Sequence, residues 1–326
     1  MIAGWYTKTG KADEVLVVGE IEKPKPKCGE LLIKIKYSGI NPSDVKKREG
    51  VRGNLNYPLI IPHSDGSGLV KGVGEGVNPD RLNQRVWLWN AGWNRFHGTA
   101  SEYITINSGQ AIEMPENVKF SEAACIGIPI MTAHRCVTIG KSVKDKTILI
   151  TGGAGVVGRY CIQIAKILGA RVIVTVSNKK KFDIAKQAGA DQIINYKEEN
   201  VVEKVMRYTG DRGVDKIVDV DFGANLNTSS KIIKNNCDIV TYGSMSDPNP
   251  TIPFYSLMFK GVSVRTVIVY DLPNKVRRKA INDINLWLSK NLISHKINKI
   301  FELNKIAEAQ KAVVEKNRIG SVLLKI

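Results

Sequence analysis

Along the first 120 residues, apolar and polar positions alternate with a period of two. In Glu30–Ser38 (ELLIKIKYS), Ile33, Ile35 and Tyr37 fall on one face and Lys34 and Lys36 on the other, as in a half-buried strand. Similar short runs predict strands at Ile2–Tyr6, Leu16–Ile21, Gly68–Val73, Arg85–Leu88 and Tyr103–Ile106, with Gly, Pro and Asn clusters between them. One short helix is predicted at Pro42–Arg48. Asn41 is its N-cap, Pro42 its first residue and Gly50 its stop.

After Ser121 the rhythm changes to short apolar strands alternating with helical patches. Thr147–Thr151 (TILIT) reads as a strand, and Gly155–Leu168 as a helix with Val157, Cys161, Ile164 and Leu168 on one face. Gly169 ends that helix. Further strands are predicted at Arg171–Val176, Gln192–Asn195, Lys216–Val220, Asp238–Tyr242 and Val262–Val269. Helices are predicted at Lys180–Ala188, Val201–Tyr208 and about 226–234, then at about 277–290 and Ile306–Glu315, before a terminal strand Ser321–Ile326. Strand–helix alternation predicts an α/β fold, a parallel sheet joined by right-handed crossovers.

The 326 residues fit two domains, with 43% hydrophobic and 24% charged residues as in ordinary globular proteins. Lys8, Lys11 and Asp13 follow Met1–Tyr6 too soon for a secretory signal, and no run nears the ~20 apolar residues of a membrane helix. A soluble, cytoplasmic protein without membrane insertion is expected. Cys28, Cys125, Cys136, Cys161 and Cys237 are scattered and never form a C-x-x-C pair, which argues against a disulfide framework and a zinc knot. The net charge of +17 comes from lysines spread along the whole chain, the pattern of a solvated basic surface. It leaves a polyanion such as single-stranded RNA as a distant alternative partner, though no nucleic-acid motif accompanies it.

The sharpest chemical signal is Gly153-Ala154-Gly155-Val156-Val157-Gly158, a G-x-G-x-x-G that follows one apolar strand and opens an amphipathic helix. Glycines let the backbone approach a pyrophosphate, and the helix N-terminus supplies free N–H groups and a positive dipole end. An NAD site places an acid about 20 residues on, at the end of the second strand. Here that strand runs into Ser177-Asn178-Lys179-Lys180-Lys181, and the first acid, Asp183, lies inside the next helix. Hydroxyl, amide and ammonium groups suit a 2′-phosphate, so NADPH is the expected cofactor.

These motifs, with Ser38-Gly39-Ile40-Asn41-Pro42-Ser43-Asp44 and Gly127-Ile128-Pro129-Ile130-Met131-Thr132-Ala133, resemble the zeta-crystallin-like quinone oxidoreductases of the medium-chain dehydrogenase/reductase superfamily. The resemblance covers essentially the whole chain. It departs at Val156, where the family has Gly, which predicts a slightly reshaped loop. It implies a Rossmann doubly wound sheet at 123–263 and a GroES-like, mainly β catalytic domain at 1–122 and 264–326, with the active site in the cleft between them. It also implies a homodimer or a tetramer of dimers, paired through Val262–Val269. Zinc-dependent cousins carry ligands at the positions of Asn41, Ser64 and Ile128, so no metal is expected.

The resemblance places Asn41 and Thr132 near the nicotinamide, and Lys181 and Tyr196 at the adenosine phosphate. Gly243 and Ser244 border the cofactor, and the Val267 backbone meets the carboxamide. Asp44 matches a recurrent acid without a defined role. Tyr57 and His63 lie in a loop expected to face the acceptor, as candidate proton donors. The loops Val51–Pro62 and Trp87–Thr99, with Trp87, Trp89, Trp93 and Phe96, are expected to select it. The implied activity is hydride transfer from NADPH to a quinone without metal. An enone C=C reductase on the same scaffold is the alternative, and an NADPH-binding RNA-binding or structural protein a more distant one.

Overall fold

The computed structural model describes residues 1–51 and 53–326, which divide into two compact units. The first comprises Met1–Pro129, Ile281–Lys290 and His295–Ile326. Its strands are β1 (Ile2–Trp5), β2 (Val17–Glu20), β3 (Glu30–Ile40), β4 (Asp65–Val73), β5 (Arg85–Leu88), β6 (Tyr103–Asn107) and β7 (Ala111–Glu113), with two C-terminal strands at Ile297–Glu302 and Ser321–Lys325. Strands β1 and β2 pair by themselves. The main sheet runs Ile297–Glu302, Ser321–Lys325, β3, β4, β5, β7, with β6 also on β3.

Strand β3 organises this unit because its apolar positions are buried on both faces. Leu31, Ile33 and Ile35 pack with Val70, Val86, Leu88 and Ile104. At its far end Ile40 packs with Val45 of the Pro42–Arg48 helix and with Ala309, Ala312 and Val313 of the Ile306–Val313 helix. Val322 pairs with Ile40, so the last strand of the chain lies beside Asn41.

The second unit comprises Ile130–Ala280 and Asn291–Ser294. Its strands β8 (Thr147–Ile150), β9 (Arg171–Val176), β10 (Gln192–Asn195), β11 (Val214–Asp219), β12 (Ile233–Thr241) and β13 (Ser263–Thr266) are all parallel, in the order β10-β9-β8-β11-β12-β13. Numbered from β8 this is 3-2-1-4-5-6, the doubly wound arrangement whose ligand crevice lies at the carboxyl ends of the first and fourth strands. Residues 264–280, assigned from sequence to the catalytic domain, fall in this unit because β13 is hydrogen-bonded to β12. The strand expected over Val262–Val269 ends at Thr266.

Strand β12 begins five residues earlier than its apolar run. The exposed Asn235 and Asn236 hide the start, and a register shift carries the pairing from Ile233 to Asp238. The edge strand Ile297–Glu302 has no fully buried position, so no alternation announced it. Among the described residues no helix is long and apolar enough to cross a membrane.

Lys216 of β11 is buried, and its ammonium donates to the carbonyls of Val137 (3.0 Å), Ile139 (2.6 Å) and Lys141 (3.0 Å), closing the end of the Gly127–Thr138 helix. Burial lowers its pKa to about 8. Removing it strands three acceptors. Lys216→Met is expected to cost about 2 kcal/mol of unfolding free energy, read as a lower urea midpoint at unchanged slope; an unmoved midpoint would show that the ammonium stabilises nothing.

Candidate functional site

The cradle of the second unit starts where β8 ends. Gly152 has φ of +64°, and Gly153 donates its N–H to Thr175 O at 3.1 Å, which folds the turn against β9. A Cβ on Gly153 would stand 2.8 Å from Val174, and one on Gly158 would stand 2.4 Å from Gly152 O. The loop therefore needs glycine at both positions and lies tight on the sheet. The helix that follows, Val156–Ile167, has Gly155 as N-cap with no side-chain cap, so its first turn is not closed by the protein's own side chains. Val156 is helical with negative φ, so its side chain is accommodated without backbone strain.

At the end of β9, Asn178 caps the Lys179–Gln187 helix by accepting from Lys181 N–H at 3.0 Å, and Lys181 Nζ donates to Ser177 Oγ at 3.0 Å. Tyr196 follows β10; its N–H donates to Val176 O at 3.1 Å and its ring is half exposed. Ser177, Asn178, Lys181 and Tyr196 thus come to one corner beyond the paired ends of β9 and β10. Asp183 is turned to solvent and paired with Lys179. The four residues bring an ammonium, a hydroxyl, an amide and a phenol; the nearby Glu199 carboxylate is taken up by Asn195 N–H at 2.8 Å and by Lys204, and the tight cradle beside the corner fits a dinucleotide carrying a 2′-phosphate.

Thr132 is buried on the Gly127–Thr138 helix. Gly243 and Ser244 follow β12, and Ser244 Oγ accepts from Gly223 N–H at 2.9 Å while donating to Asp247 O, so this hydroxyl is committed to the neighbouring helix start. Val267 N–H donates to Thr241 O at 2.8 Å, which leaves its carbonyl as the backbone group able to meet a ligand.

In the first unit the organising group is one that sequence reasoning passed over. Asp65, 1% exposed, accepts from Asn41 Nδ2 at 2.7 Å and from Ile128 N–H at 2.8 Å. Gly127 makes this possible, since a Cβ there would lie 1.9 Å from Asp65 Oδ1. Asn41 N–H donates to Asp44 Oδ2 at 2.7 Å, so Asp44 acts as the capping carboxylate of the Pro42–Arg48 helix. Burial pushes the Asp65 carboxyl up to about 8, against the hydrogen bonds from Asn41 and Ile128 and with the nearby Asp44 charge. Asp65 follows the named His63-Ser64, but its partners are 24 and 63 residues away in sequence, and no local pattern joins them.

Two proton-donor expectations change. His63 does not face an acceptor: it is 1% exposed, and its ring lies between Ser38 and Gln310. Burial lowers its pKa to about 3, so the ring stays neutral near pH 7 and the imidazolium, the form that would act as an acid, is not populated. Tyr57 is partly exposed and donates to Asn94 O at 2.6 Å, so its hydroxyl hydrogen is engaged within the loops. Of the four aromatics of the second loop, Trp87 and Trp89 are core residues; Trp93 and Phe96 are exposed, Phe96 lying 6.3 Å from the Tyr57 ring.

A GroES-like unit joined to a nucleotide-binding unit of this strand order defines the alcohol dehydrogenase-like class. The alcohol dehydrogenase GroES-like domain family matches residues 27–116 and the zinc-binding dehydrogenase family residues 156–285. The quinone oxidoreductase of Sus scrofa is 26% identical over 324 residues, covering 97% of this chain and 95% of that protein. The solved structure of Escherichia coli quinone oxidoreductase complexed with NADPH superposes with a TM-score of 0.87 at 25% identity over 100% of both chains, and that of an NAD-dependent alcohol dehydrogenase with 0.91 at 27%, also over 100% of both. The two domain matches, one after the other along the chain, support an alcohol dehydrogenase-like protein of the medium-chain dehydrogenase/reductase superfamily, with quinone oxidoreductases among its relatives. Among the described residues no group of three or more His, Cys, Asp or Glu is placed to hold a metal, and the positions at which the resemblance puts zinc ligands are Asn41, Ser64 and Ile128.

The buried carboxyl has a measurable consequence. Its folded-state pKa is raised from 3.8 to about 8, so the stability it contributes is present at low pH and is lost as pH rises through that window. The buried His63 and His97, lowered to about 3 and about 4, act in the opposite sense below pH 6.5 and offset it there. Between pH 6.5 and 8 the protein is therefore expected to lose about 1 kcal/mol per pH unit, and Asp65→Asn is expected to flatten that limb in urea titrations. An equally steep limb in the variant would assign the loss to another group.

Proposed function

We propose that the protein is an NADPH-dependent reductase of quinones that works without zinc. The observation that carries this reading is the run Ser177–Lys181 at the end of β9, which holds no acid and sets Lys181 Nζ on Ser177 Oγ beside a glycine cradle, in a chain whose relatives include quinone oxidoreductases. Bound NADPH supplies a hydride. Gly153, Ala154, Gly155, Val156, Val157 and Gly158 hold its pyrophosphate against the open helix N-terminus. Lys181 and Ser177 take the 2′-phosphate, with Tyr196 against the adenosine end. Thr132, Gly243, Ser244 and the Val267 carbonyl line the nicotinamide side, and Asn41 meets the nicotinamide ribose with its amide held by Asp65. A quinone accepts hydride without strong Lewis-acid help, so the remaining task is to position it and exclude water. Trp93 and Phe96 supply flat faces for it.

The chain is further read as a cytoplasmic homodimer. Strand β13 ends the six-stranded sheet with an unpaired edge, and Tyr255, Phe259, Val264 and Ile268 are exposed on and beside it. An open edge strand flanked by exposed apolar side chains calls for a partner. Phe259→Asp is expected to give a monomer in sedimentation; an unchanged mass would place the contact elsewhere.

The deciding assay follows NADPH and, separately, NADH oxidation by ortho- and para-quinones and an enone, with chelator present. Expected is fast, chelator-insensitive turnover with NADPH and quinone. Lys181→Ala should raise KM for NADPH roughly tenfold, the loss of one charge-assisted hydrogen bond, and leave KM for NADH within about twofold. Turnover with the enone alone would move the acceptor class, and equal KM changes for both cofactors would remove the 2′-phosphate from Lys181.

A further inference from the structure

Behind Asn41 and Asp65 the first unit buries an unbroken row of polar side chains. Arg48 Nε donates to Gln310 Oε1 at 2.7 Å, and Gln310 Nε2 lies 3.2 Å from His63 Nε2. His63 Nδ1 lies 2.9 Å from Ser38 Oγ, which lies 2.7 Å from Thr99 Oγ1, and Thr99 donates to the Asp65 carbonyl at 2.6 Å. Arg48, Gln310, His63, Ser38, Thr99 and Asp65 are each 2% exposed or less.

The two ends fix the direction of every bond between them. A guanidinium has no acceptor and a carbonyl has no donor. Arg48 therefore takes the oxygen of the Gln310 amide, which turns its NH2 to His63. Nε2 of that ring must be the bare nitrogen, and the ring proton sits on Nδ1. His63 then donates to Ser38 and Ser38 to Thr99, whose own hydrogen goes to Asp65. Each link has one donor and one acceptor, and reversing any one opposes two donors. His63 holds φ of +79°, unusual for a residue with a Cβ, so the bend that delivers Asp65 two residues later persists because its surroundings impose it. Gln310 and Arg48 stand on helices remote in sequence and reach that bend through the imidazole.

We propose that Gln310 is a positioning residue of the candidate site: by donating to His63 Nε2 it sets the ring tautomer that aligns Ser38, Thr99 and the Asp65 bend, and through Asp65 the amide of Asn41. This rests on the reading of Asn41 as part of the site. Gln310 touches no substrate or cofactor. Its amide is the one group in the row that converts a pure donor, Arg48, into a donor toward the ring, which neither a carboxylate nor an alkyl chain does.

The test uses the full-length protein labelled with 15N at His and Asn, as wild type, Gln310→Glu and Gln310→Met. In the wild type the His63 proton is expected on Nδ1 with Nε2 bare from pH 5 to 8. A proton on Nε2 overturns the proposal. In Gln310→Glu the side chain still accepts from Arg48 but turns an oxygen to the ring, so Nε2 should gain a proton. The Asn41 side-chain amide resonances should then shift, and kcat for quinone reduction should fall tenfold or more with KM for NADPH within twofold. Gln310→Met keeps bulk without any partner and serves if the Glu variant fails to fold; it should shift the same Asn41 resonances. A changed ring proton with unmoved Asn41 resonances and unchanged kcat sinks the proposal. A wild type that reduces no quinone sinks the reductase reading instead, and the ring and Asn41 resonances still decide this one.

Discussion

The first unit depends on one buried carboxyl. Asp65 takes a hydrogen bond from the Asn41 side chain and another from the Ile128 backbone, and so ties the end of β3 to the start of the Gly127–Thr138 helix. Burying such a group is costly unless it is bonded, and these bonds offset only part of the cost, as its raised pKa shows. The cost is tolerated in a dense setting: Gly127 leaves the room, Gly39 lets β3 run against Ala124 O, and the last strand of the chain covers the same end of β3. Each is a local choice with no reason of its own until Asp65 is put in place.

The second unit meets a different constraint, that of close approach. Its cradle consists of backbone, and what matters is what is missing: no Cβ at Gly153 or Gly158, no cap on the Val156–Ile167 helix and no acid in the Ser177–Lys181 corner. Omissions of this kind are visible in a sequence, because they are contiguous and the spacing between strand, loop and helix is short. The glycine loop, the strand–helix alternation and the nearness of the corner residues to it are accordingly legible in the sequence.

The polar core of the first unit was not legible, for the same physical reason reversed. Asn41 is legible as a helix cap, and the structure adds Asp44 as the carboxylate that completes it, but the atom that orients the Asn41 amide lies 24 residues on and Gln310 meets His63 from 247 residues away. His63, taken as a loop residue beside an acceptor, is instead enclosed by a helix from the far end of the chain. Trp87 and Trp89 carry the same lesson: aromatic spacing did not separate them from Trp93 and Phe96, and burial did. Where strand edges lacked buried positions, as in Ile297–Glu302, periodicity had nothing to report.

The charge of the chain finds a structural use in the same terms. With 48 Lys and Arg against 31 Asp and Glu, cations outnumber the carboxylates available to them. Several turn to backbone carbonyls. Lys216 closes the end of one helix, and Lys260 does the same for another by donating to Ser230, Lys231 and Ile233. Arg81 reaches the carbonyls of Ser108 and Ala111, and Arg85 those of Glu116 and Val118. Helix C-termini and loops offer carbonyls without intrahelical partners and carry partial negative charge, so a surplus cation there satisfies an acceptor that would otherwise need water. Part of the +17 is therefore directed to the protein's own backbone, which weakens the case for a polyanion as its reason.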